Sequence, residues 1–501
     1  MKTLLVGVNS KYIHTALGVR YVAEFTRQQG WQVDLLEETV NTPLLAVLDK
    51  LVSAEADVYG FDVHIWSKLF VQRLISLLRR VRPGCRIVLG GPEVWFQSSA
   101  SLREWNVADY IIQGDGELAF SQLLSRLSEA AADKGQGDFK PEAGPDGRKP
   151  EVIAGTPLDL SELPFPYPDL AQVVAEHKIV YYEASRGCPF RCSYCLSSVS
   201  GKVRQRPLPL VLQDLQRLID ADVPLVKFVD RTYNLDEGYY LPMLQFLAGA
   251  DCRTTFHFEV KADLLSEDTL AFLSRVKQGR FQFEVGVQST HGPTLRAINR
   301  TNDWEKLKIN CCRILQAGNI HLHTDLIAGL PFEGLAEWSR SFDEVFGLGA
   351  PMLQLGFLKV LPGTQMAERQ EEYGLVYMGE PPYEILQTKW LSYGDLAFLR
   401  RFDKIFDVVH NGGFFPRFLQ ALLQDFDRPY SCFKYLVERW PKDALGTYNA
   451  RSVAMALHSI FGSKYERELQ EDIFQNIHNW KPEWLDWSAY SRRQLQKKSS
   501  V

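Results

Sequence analysis

Short apolar runs alternate with helix-length amphipathic stretches twice along the chain, and this alternation constrains the fold more than any other feature. The first series includes the runs TLLVGV, DVYGFDV and RIVLGG, and the second includes KIVYYE, LVKFVD and FQFEVGV. Strands that are separated by helices of this length form βαβ units and parallel sheets. A chain of 501 residues is also long enough to divide into several domains. The sequence therefore predicts an α/β protein with two consecutive parallel sheets.

The two series define the expected domains. The first predicts a doubly wound, five-stranded parallel sheet in a domain of residues 1–130. The second predicts a (β/α)6 partial TIM-type barrel over residues 177–375. Between them, residues 131–176 are charged and rich in Gly and Pro, which is typical of a linker that ends in an ordered strap. Strand patterns fade after residue 375, and aromatic-rich helical segments predict a helical C-terminal domain of residues 376–501.

Composition narrows the function classes. The net charge is -5, so no basic excess indicates general nucleic-acid binding. No stretch approaches the about 20 apolar residues that span a membrane, and the apolar run in MKTLLVGVNSKYIH is too short for a secretory signal. Eight cysteines, three of them clustered, fit a metal site in a reducing compartment better than a disulfide framework. We expect a cytoplasmic protein that does not bind membranes.

Glycines and polar residues follow several strands of the first series. Ligands of doubly wound sheets bind beyond the carboxyl ends of the strands, and glycines let a ligand approach the backbone. Each glycine taken alone is also consistent with a tight turn. The first turn lacks the G-x-G-x-x-G pattern of dinucleotide sites. The sequence predicts a ligand site of another kind at this edge, with these candidate residues: Ser10, Gly90, Gly91, Glu93, Gly114, Asp115, Gly116 and Glu117.

Three cysteines lie directly after the first strand of the second series. Cys188, Cys192 and Cys195 have the spacing C-x3-C-x2-C in the stretch RGCPFRCSYC. Thiolates select zinc or iron–sulfur clusters, and a structural zinc site usually has a second ligand pair. The sequence contains no second C-x2-C group. A [4Fe–4S] cluster that is held by three thiolates has one open iron, whereas a zinc knuckle remains the alternative.

This motif, with Tyr194 before the third cysteine, resembles the radical S-adenosylmethionine (SAM) superfamily, and the resemblance covers residues 177–375. It implies that the three cysteines bind a [4Fe–4S] cluster and that the open iron binds SAM. It also implies reductive cleavage of SAM to a 5′-deoxyadenosyl radical. In place of the Gly-Gly-Glu-like segment of the family, this chain has VDRTYN. Matching strand ends imply cofactor contacts from Tyr194, Asp230, Arg231, Glu259 and Gln288.

A doubly wound domain before such a barrel, with GGPEVWF and GDGE at two strand ends, resembles the cobalamin (B12)-binding radical SAM proteins that carry a C-terminal domain of unknown function. The resemblance implies cobalamin at the strand-end residues named above. The chain departs from the D-x-H-x-x-G pattern of proteins with histidine on cobalt, because His14 has Gly18 one residue too far away. A similar stretch, Asp62-x-His64-x-x-Ser67, follows the third strand. Cobalamin is expected without a histidine on cobalt, and His64 facing its lower side is the alternative.

The family resemblance implies a cobalamin-dependent radical SAM enzyme of the class B methyltransferase type. Its substrate would be an unknown small molecule or peptide with an unreactive carbon, and flavodoxin or ferredoxin would supply the electron. A rearrangement or cyclisation without methyl transfer is one alternative, and a non-catalytic cobalamin or Fe–S sensor is another. A methylthiotransferase acting on RNA fits poorly, because residues 1–130 contain only Cys85 and the charge is acidic. The sequence does not assign further catalytic residues.

Overall fold

The first parallel sheet has six strands, one more than predicted. A computed structural model describes residues 1–96, 101–133, 149–199, 202–441 and 449–478. The strands are β1 (Thr3–Asn9), β2 (Val33–Thr39), β3 (Val58–Asp62), β4 (Arg86–Gly90), β5 (Tyr110–Gln113) and β6 (Glu151–Ala154). They lie in the order β2-β1-β3-β4-β5-β6, and every neighbouring pair is parallel. The extra strand β6 comes from the predicted linker, where four residues beside Gly and Pro carry too short a pattern to indicate a strand.

Helices cover both faces of this sheet, as expected for a doubly wound fold. They are α1 (Leu17–Gln28), α2 (Leu44–Ser53), α3 (Lys68–Val81), α4 (Pro92–Trp95) and α5 (Gly116–Asp133). One hydrophobic core lies between the sheet and α2 and α3, and a second lies between the sheet and α1 and α5. All seven residues of β1 are buried, because a central strand of such a sheet has helices on both sides.

The segment between the two sheets ends in an ordered strap. Its residues 134–148, which belong to the predicted linker, lie outside the described part of the chain. After β6 the strap leads to α6 (Leu170–Ala175). Within the strap, the Tyr167 hydroxyl donates to the Tyr181 carbonyl at 2.7 Å and accepts from the Tyr181 N–H at 3.0 Å. The strap is therefore fixed to the first strand of the second sheet.

The second sheet is the predicted six-stranded partial barrel. Its strands are β7 (Val180–Tyr182), β10 (Leu225–Phe228), β11 (Thr255–Val260), β12 (Phe281–Gln288), β13 (His321–Ala328) and β14 (Met352–Phe357), and a small hairpin, β8 (Ser185–Arg186) and β9 (Arg204–Gln205), lies between the first two. They lie in the order β14-β13-β12-β11-β10-β7, all parallel. The surrounding helices are α7 (Leu208–Asp220), α8 (Glu237–Gly249), α9 (Glu267–Leu273), α10 (Gly292–Ala297), α11 (Trp304–Ala317) and α12 (Leu335–Phe346).

The C-terminal region is mainly helical but begins with two short helices and a hairpin that the sequence did not indicate. Its elements are α13 (Gln365–Glu368), α14 (Gln370–Tyr373), β15 (Val376–Tyr377), β16 (Ile385–Gln387), α15 (Tyr393–Phe406), α16 (Pro416–Leu423), α17 (Pro429–Arg439), α18 (Ala450–Phe461) and α19 (Glu466–Asn476). Its core is continuous with that of the barrel. Phe342 of α12 contacts Phe402 and Phe433 edge-on, with ring centroids 5.0 and 6.0 Å apart.

None of the described helices has the length and apolar character needed to span a membrane.

Candidate functional site

The three cysteines lie on a loop at the carboxyl end of β7, and several contacts fix its path. Gly187 has φ +105°, a left-handed conformation that disfavours other residues, and a side chain there would meet the Lys202 carbonyl oxygen. In the middle of the loop, the Ser193 N–H donates to the Ile298 carbonyl at 2.9 Å. The Ser193 carbonyl accepts from the Met366 N–H at 2.8 Å. The loop is therefore held by the segment after α10 and by α13.

Asp230 anchors the start of the cysteine loop. Its buried carboxylate accepts from the Ala184 N–H at 3.0 Å and from the Ser185 hydroxyl at 2.6 Å. Burial raises the pKa of Asp230 to about 7. Both oxygens are thus occupied by the protein itself. The SAM contact that the family resemblance implied for Asp230 stays a prediction, and the structure gives this residue a clear positioning role.

The cysteine thiols are close enough to influence one another. Cys188 and Cys192 are buried, and Cys195 is half-buried. Burial raises the pKa of the Cys188 thiol, and the thiolates of Cys195 and Cys192 add to the effect. Among the described residues, no group of three or more His, Cys, Asp or Glu side chains converges on the position of a single ion. Three thiols on one loop fit an iron–sulfur cluster, in which different irons take different thiolates.

Arg300 is a residue of this site that the sequence did not reveal. Its Nη1 lies 3.7 Å from Cys192 Sγ and 3.5 Å from the Tyr194 hydroxyl, and its Nη2 donates to the Gly286 carbonyl on β12. A guanidinium beside the sulfurs favours their anionic form. Arg300 follows α10, 105 residues beyond Cys195, so no local pattern connects it with the cysteine motif. Its position supports an anionic cluster on the loop.

The strand ends beside the loop carry the remaining predicted SAM residues. Gln288 ends β12 with φ +71°, next to an irregularity in its pairing with β13. Non-glycine residues in such strained conformations concentrate at functional sites. Glu259 is half-buried near the end of β11, and burial raises its pKa, which the charge of the exposed Arg231 opposes. These three residues lie at the same barrel end as the cysteines, and their contacts to SAM stay predictions.

The barrel lumen contains a row of polar side chains that the sequence reading passed over. On β11 and β12, His257 Nε2 lies 3.2 Å from Glu284 Oε2. On β13, burial lowers the pKa of His323 to about 4. Burial and the charges of Glu284 and Glu259 raise the pKa of Asp325 far above its usual value. The sequence signal was available, because FQFEV and HLHTDLIA place a polar residue at every second position of buried parallel strands, which are usually apolar throughout.

At the carboxyl edge of the first sheet, the predicted acidic residues bind other parts of the protein. Asp115 forms ion pairs with Arg204 at 2.8 Å and Arg186 at 3.2 Å. Glu117 binds Arg186 at 2.9 Å. Both arginines flank the cysteine loop. These carboxylates therefore join the first sheet to the barrel mouth, and any role of theirs at cobalamin stays a prediction.

Glu93 makes a similar connection on the other side. Its Oε2 accepts from the Tyr383 hydroxyl at 2.7 Å, and Lys68 Nζ lies 3.9 Å away. Near the opposite edge, the Ile179 N–H donates to the Ile13 carbonyl at 2.7 Å. The first sheet thus contacts the chain next to both β7 and β14, the two edge strands of the partial barrel. Its carboxyl edge therefore lies beside both edges of the partial barrel.

The other predicted residues at this edge contribute backbone groups and, at one position, open space for a ligand. A methyl group added at Gly90 would meet no atom within 4 Å. Gly91 has φ +97°, and a methyl group there would clash with Asp62 and Val63. The Ser10 carbonyl accepts from Asn41 Nδ2 at 3.3 Å. Gly114 has φ +108° beside Gly155, and Gly116 contacts Val22. Of these positions, Gly90 is open to a ligand.

Apolar side chains are exposed at the same edge. Tyr12 and Ile13 follow β1, and Trp66 follows β3, with exposures of 58%, 43% and 45%. Exposed apolar groups that lie together mark interaction surfaces, and a corrin ring presents a broad apolar face to its protein. His64 stacks on Trp66 with ring centroids 4.3 Å apart, and its Nε2 lies 3.0 Å from Asp62 Oδ2. The Asp62–His64 pair of the sequence is therefore formed, and this edge fits cobalamin.

Three protein families match successive parts of the chain. Residues 3–124 match the B12 binding domain, residues 182–345 match the radical SAM superfamily, and residues 371–475 match a protein family of unknown function, DUF4080. The chain therefore carries a B12 binding domain, a radical SAM domain and a DUF4080 domain in succession, which confirms the resemblance seen in the sequence. The matched domains imply three cofactors: a [4Fe–4S] cluster, SAM and cobalamin.

Two curated relatives show what such chains do elsewhere. The cobalamin-dependent radical SAM methyltransferase TokK of Streptomyces tokunonensis is 25% identical over 66% of this chain and 51% of its own length. The anaerobic magnesium-protoporphyrin IX monomethyl ester cyclase of Rubrivivax gelatinosus is 22% identical over 63% of this chain and 59% of its own. The matched region thus spans between half and two thirds of these relatives.

Two solved structures share the fold. The cobalamin-dependent SAM radical enzyme OxsB has a TM-score of 0.63 at 16% identity, over 95% of this chain and 74% of its own. The radical SAM methyltransferase TsrM from Kitasatospora setae, solved with cobalamin and a [4Fe–4S] cluster bound, has a TM-score of 0.59 at 16% identity, over 76% of each chain. Both show that the α/β fold of this chain occurs in solved structures.

Proposed function

We propose that this protein is a cobalamin-dependent radical SAM enzyme that transfers a methyl group to an unreactive carbon of a small-molecule or peptide substrate. One observation carries the proposal: the cysteine loop and the open edge of the B12-binding sheet flank the same lumen, joined through Arg186. Bound cluster, SAM and cobalamin would supply the radical and the methyl group. A methyltransferase relative, TokK, supports this reaction.

The chain's own residues have separate tasks in this proposal. Cys188, Cys192 and Cys195 would hold the cluster, and Asp230 keeps the start of their loop against β10. Gln288 and Glu259 would orient SAM at the strand ends. The first sheet closes the open side of the barrel, which excludes water from a reactive radical. No residue needs to act as an acid or base when a hydrogen atom is exchanged for a methyl group.

A first experiment tests the cofactors. We would purify the protein anaerobically, reconstitute it with iron, sulfide and hydroxocobalamin, and measure iron, corrinoid and 5′-deoxyadenosine formed from SAM with dithionite. The expected result is four irons and one corrinoid per chain. A triple variant with Cys188→Ala, Cys192→Ala and Cys195→Ala should lose the iron and the SAM cleavage. The matched control, Cys252→Ala with Cys312→Ala, removes two half-buried cysteines elsewhere and should keep both.

A second candidate function is cyclisation or rearrangement without methyl transfer, which the cyclase relative favours. SAM labelled in its methyl group separates the two candidates. Label that passes to the corrinoid and then to a product supports methyl transfer. Deoxyadenosine formation with unmethylated product supports the second candidate. A protein that binds its cofactors and never cleaves SAM would be a sensor, and both enzymatic proposals would fail.

The remaining expectations concern partners and location. We expect flavodoxin or ferredoxin as the reductant and a cytoplasmic location, where such carriers and reduced thiols occur.

A further inference from the structure

The barrel lumen contains three carboxyl groups that come from three neighbouring strands. They belong to Glu259 of β11, Glu284 of β12 and Asp325 of β13, and we call them the lumen carboxyls. In the sheet register, Glu259 pairs with Glu284, and Asp325 pairs with Gly286, two residues further along β12. Each of the three lies between buried residues whose side chains point to the opposite face. The lumen carboxyls therefore share one face of the sheet and lie close together.

Two of the lumen carboxyls lie toward the amino ends of their strands, away from the cysteine loop. Glu284 precedes Gln288, the last residue of β12, by four residues, and Asp325 precedes Ala328, the last residue of β13, by three. A strand rises about 3.3 Å per residue, so these positions lie about 13 and about 10 Å from the strand ends. SAM on the open iron of a cluster would lie at those ends. The lumen carboxyls therefore face the space beneath SAM, where a substrate can bind.

The protein supplies no cation that pairs directly with Asp325. Its Oδ1 is buried and has no hydrogen-bond partner in the described part of the chain. The charges of Glu284 and Glu259 add to burial in raising the pKa of Asp325, and the charge of Arg300 only opposes this effect. The Arg300 guanidinium is committed elsewhere, since it donates to the Gly286 carbonyl and lies beside the Cys192 sulfur. Burying a carboxylate without a partner is unfavourable.

The other polar groups of the lumen do not neutralise Asp325 either. His257 is 4% exposed, its Nε2 lies 3.2 Å from Glu284 Oε2, and its Nδ1 is buried without a partner. Burial lowers the pKa of His323, the neighbour of Asp325 on β13, to about 4, so this side chain is uncharged at pH 7. Lys227 on β10 acts on Glu259 and Glu284, three strands away from β13 in the sheet. The lumen is thus short of positive charge at β13.

We propose that the lumen carboxyls bind a protonated amino group of the substrate, with Asp325 as its principal partner. The inference rests on the proposed function and narrows its substrate class to amines. SAM also carries an amino group, but SAM on the open iron would hold that group at the strand ends. When the ammonium binds, it keeps its three protons, the Asp325 carboxyl releases its own proton to solvent, and a carboxylate–ammonium pair forms.

Binding of simple probes tests the inference without any turnover. The reconstituted protein is titrated calorimetrically with n-butylammonium, n-butanol and butyrate, which share one chain and differ in the charge of the end group. The ammonium should bind at least about tenfold more tightly than the alcohol, because a hydrogen bond to a charged group contributes more than a neutral one. Titrations at pH 7 in two buffers that differ in ionisation enthalpy should show that a proton is released on binding. Butyrate should not bind.

A matched pair of variants identifies the carboxyl group. Asp325→Asn should weaken n-butylammonium binding at least about tenfold and abolish the proton release. The control is Asp403→Asn in α15, which removes another half-buried carboxyl whose pKa burial raises, to about 7. This control should bind the probe like the unaltered protein.

The outcomes that overturn the inference differ from those that refute the proposed function. Binding of n-butylammonium that is undetectable, or no tighter than that of n-butanol, overturns the inference in the unaltered protein, whatever the stability of the variants. Displacement of the probe by SAM would mean that the lumen carboxyls bind SAM itself, and this also overturns it. Absence of SAM cleavage with dithionite refutes the proposed function instead, and the probe titrations still decide whether the lumen binds an amine.

Discussion

Both parallel sheets present polar side chains where their strands end, but the partners of these side chains differ. At the first sheet, Glu93, Asp115 and Glu117 bind Tyr383 and arginines of the barrel mouth. In the second sheet, Asp325 Oδ1 is buried and has no hydrogen-bond partner among the described residues. The first edge therefore offers a ligand mainly backbone, space and apolar surface. The lumen offers polar side chains that the fold leaves unsatisfied.

This difference follows from what each site would bind. A corrinoid is large and needs a broad apolar surface. The polar side chains at the strand ends of the first sheet are therefore not needed to bind it, and they connect the two domains instead. SAM and a substrate are smaller and carry several polar groups, which need specific partners. Unsatisfied buried polar atoms cost stability and persist where function uses them. Each sheet contains residues whose replacement should affect stability and ligand binding differently.

The largest effect is expected at Arg186, which joins the two sheets. Arg186→Leu leaves the carboxylates of Asp115, Glu117 and Glu183 without this partner. Breaking a buried ion-pair network costs about 3 kcal/mol, so the free energy of unfolding should fall by that amount in denaturant titration. Arg126→Leu is the control, because its pair with Glu151 is half exposed and should contribute less than about 1 kcal/mol. Equal effects would mean that the acidic strand ends do not join the domains.

A smaller effect is expected at the open part of the first edge. Gly90→Leu adds a side chain into space that no atom occupies within 4 Å, so the fold should tolerate it. If a corrinoid seats there, its affinity should fall at least about tenfold, or about 1.4 kcal/mol, when measured from the absorbance of added hydroxocobalamin. Gly249→Leu enters equally open space at the end of α8 and should leave corrinoid affinity unchanged. Unaltered affinity of Gly90→Leu would place the corrinoid elsewhere.

Asp230 is a barrel residue whose polar group is satisfied, because both oxygens of its carboxylate accept hydrogen bonds from the cysteine loop. Its folded pKa of about 7 lies above the value of 3.8 for a free side chain. Its contribution to stability is therefore full below about pH 4 and is lost as the pH rises to about 7. Asp230→Asn should lose one hydrogen bond, about 1 kcal/mol, at low pH. The loss should shrink toward pH 7.

Denaturant titrations at pH 5 and pH 7 check this expectation. Asp251→Asn, at an exposed position just after the end of α8, is the control and should show no change between the two conditions. A constant difference between Asp230→Asn and the unaltered protein at both values would mean that the Asp230 carboxyl does not titrate in this range.

The sequence predicted the parts of the molecule that follow from local periodicity. Both sheets, their order along the chain and the position of the cysteines at a strand end required only the alternation of strands and helices. Strand β6 was missed because four residues beside Gly and Pro carry no clear period. The partners Arg300 and Tyr383 were missed because each joins residues more than 100 positions apart. Such pairings depend on tertiary packing, which a single sequence does not display.

The smallest effect is expected in the lumen, at Asp325. Burial and two neighbouring carboxylates hold its pKa far above the ordinary value, so the folded state loses stability as the pH rises. Asp325→Asn removes this charge and should become more stable relative to the unaltered protein between pH 5 and pH 8, by less than about 1 kcal/mol. Thermal denaturation at both values measures the difference. If Asp325 served only for packing, the Asp325→Asn variant would instead be less stable than the unaltered protein at both pH values. A gain in stability together with weaker binding of SAM or substrate would show that the lumen keeps an unsatisfied carboxyl group for its ligands.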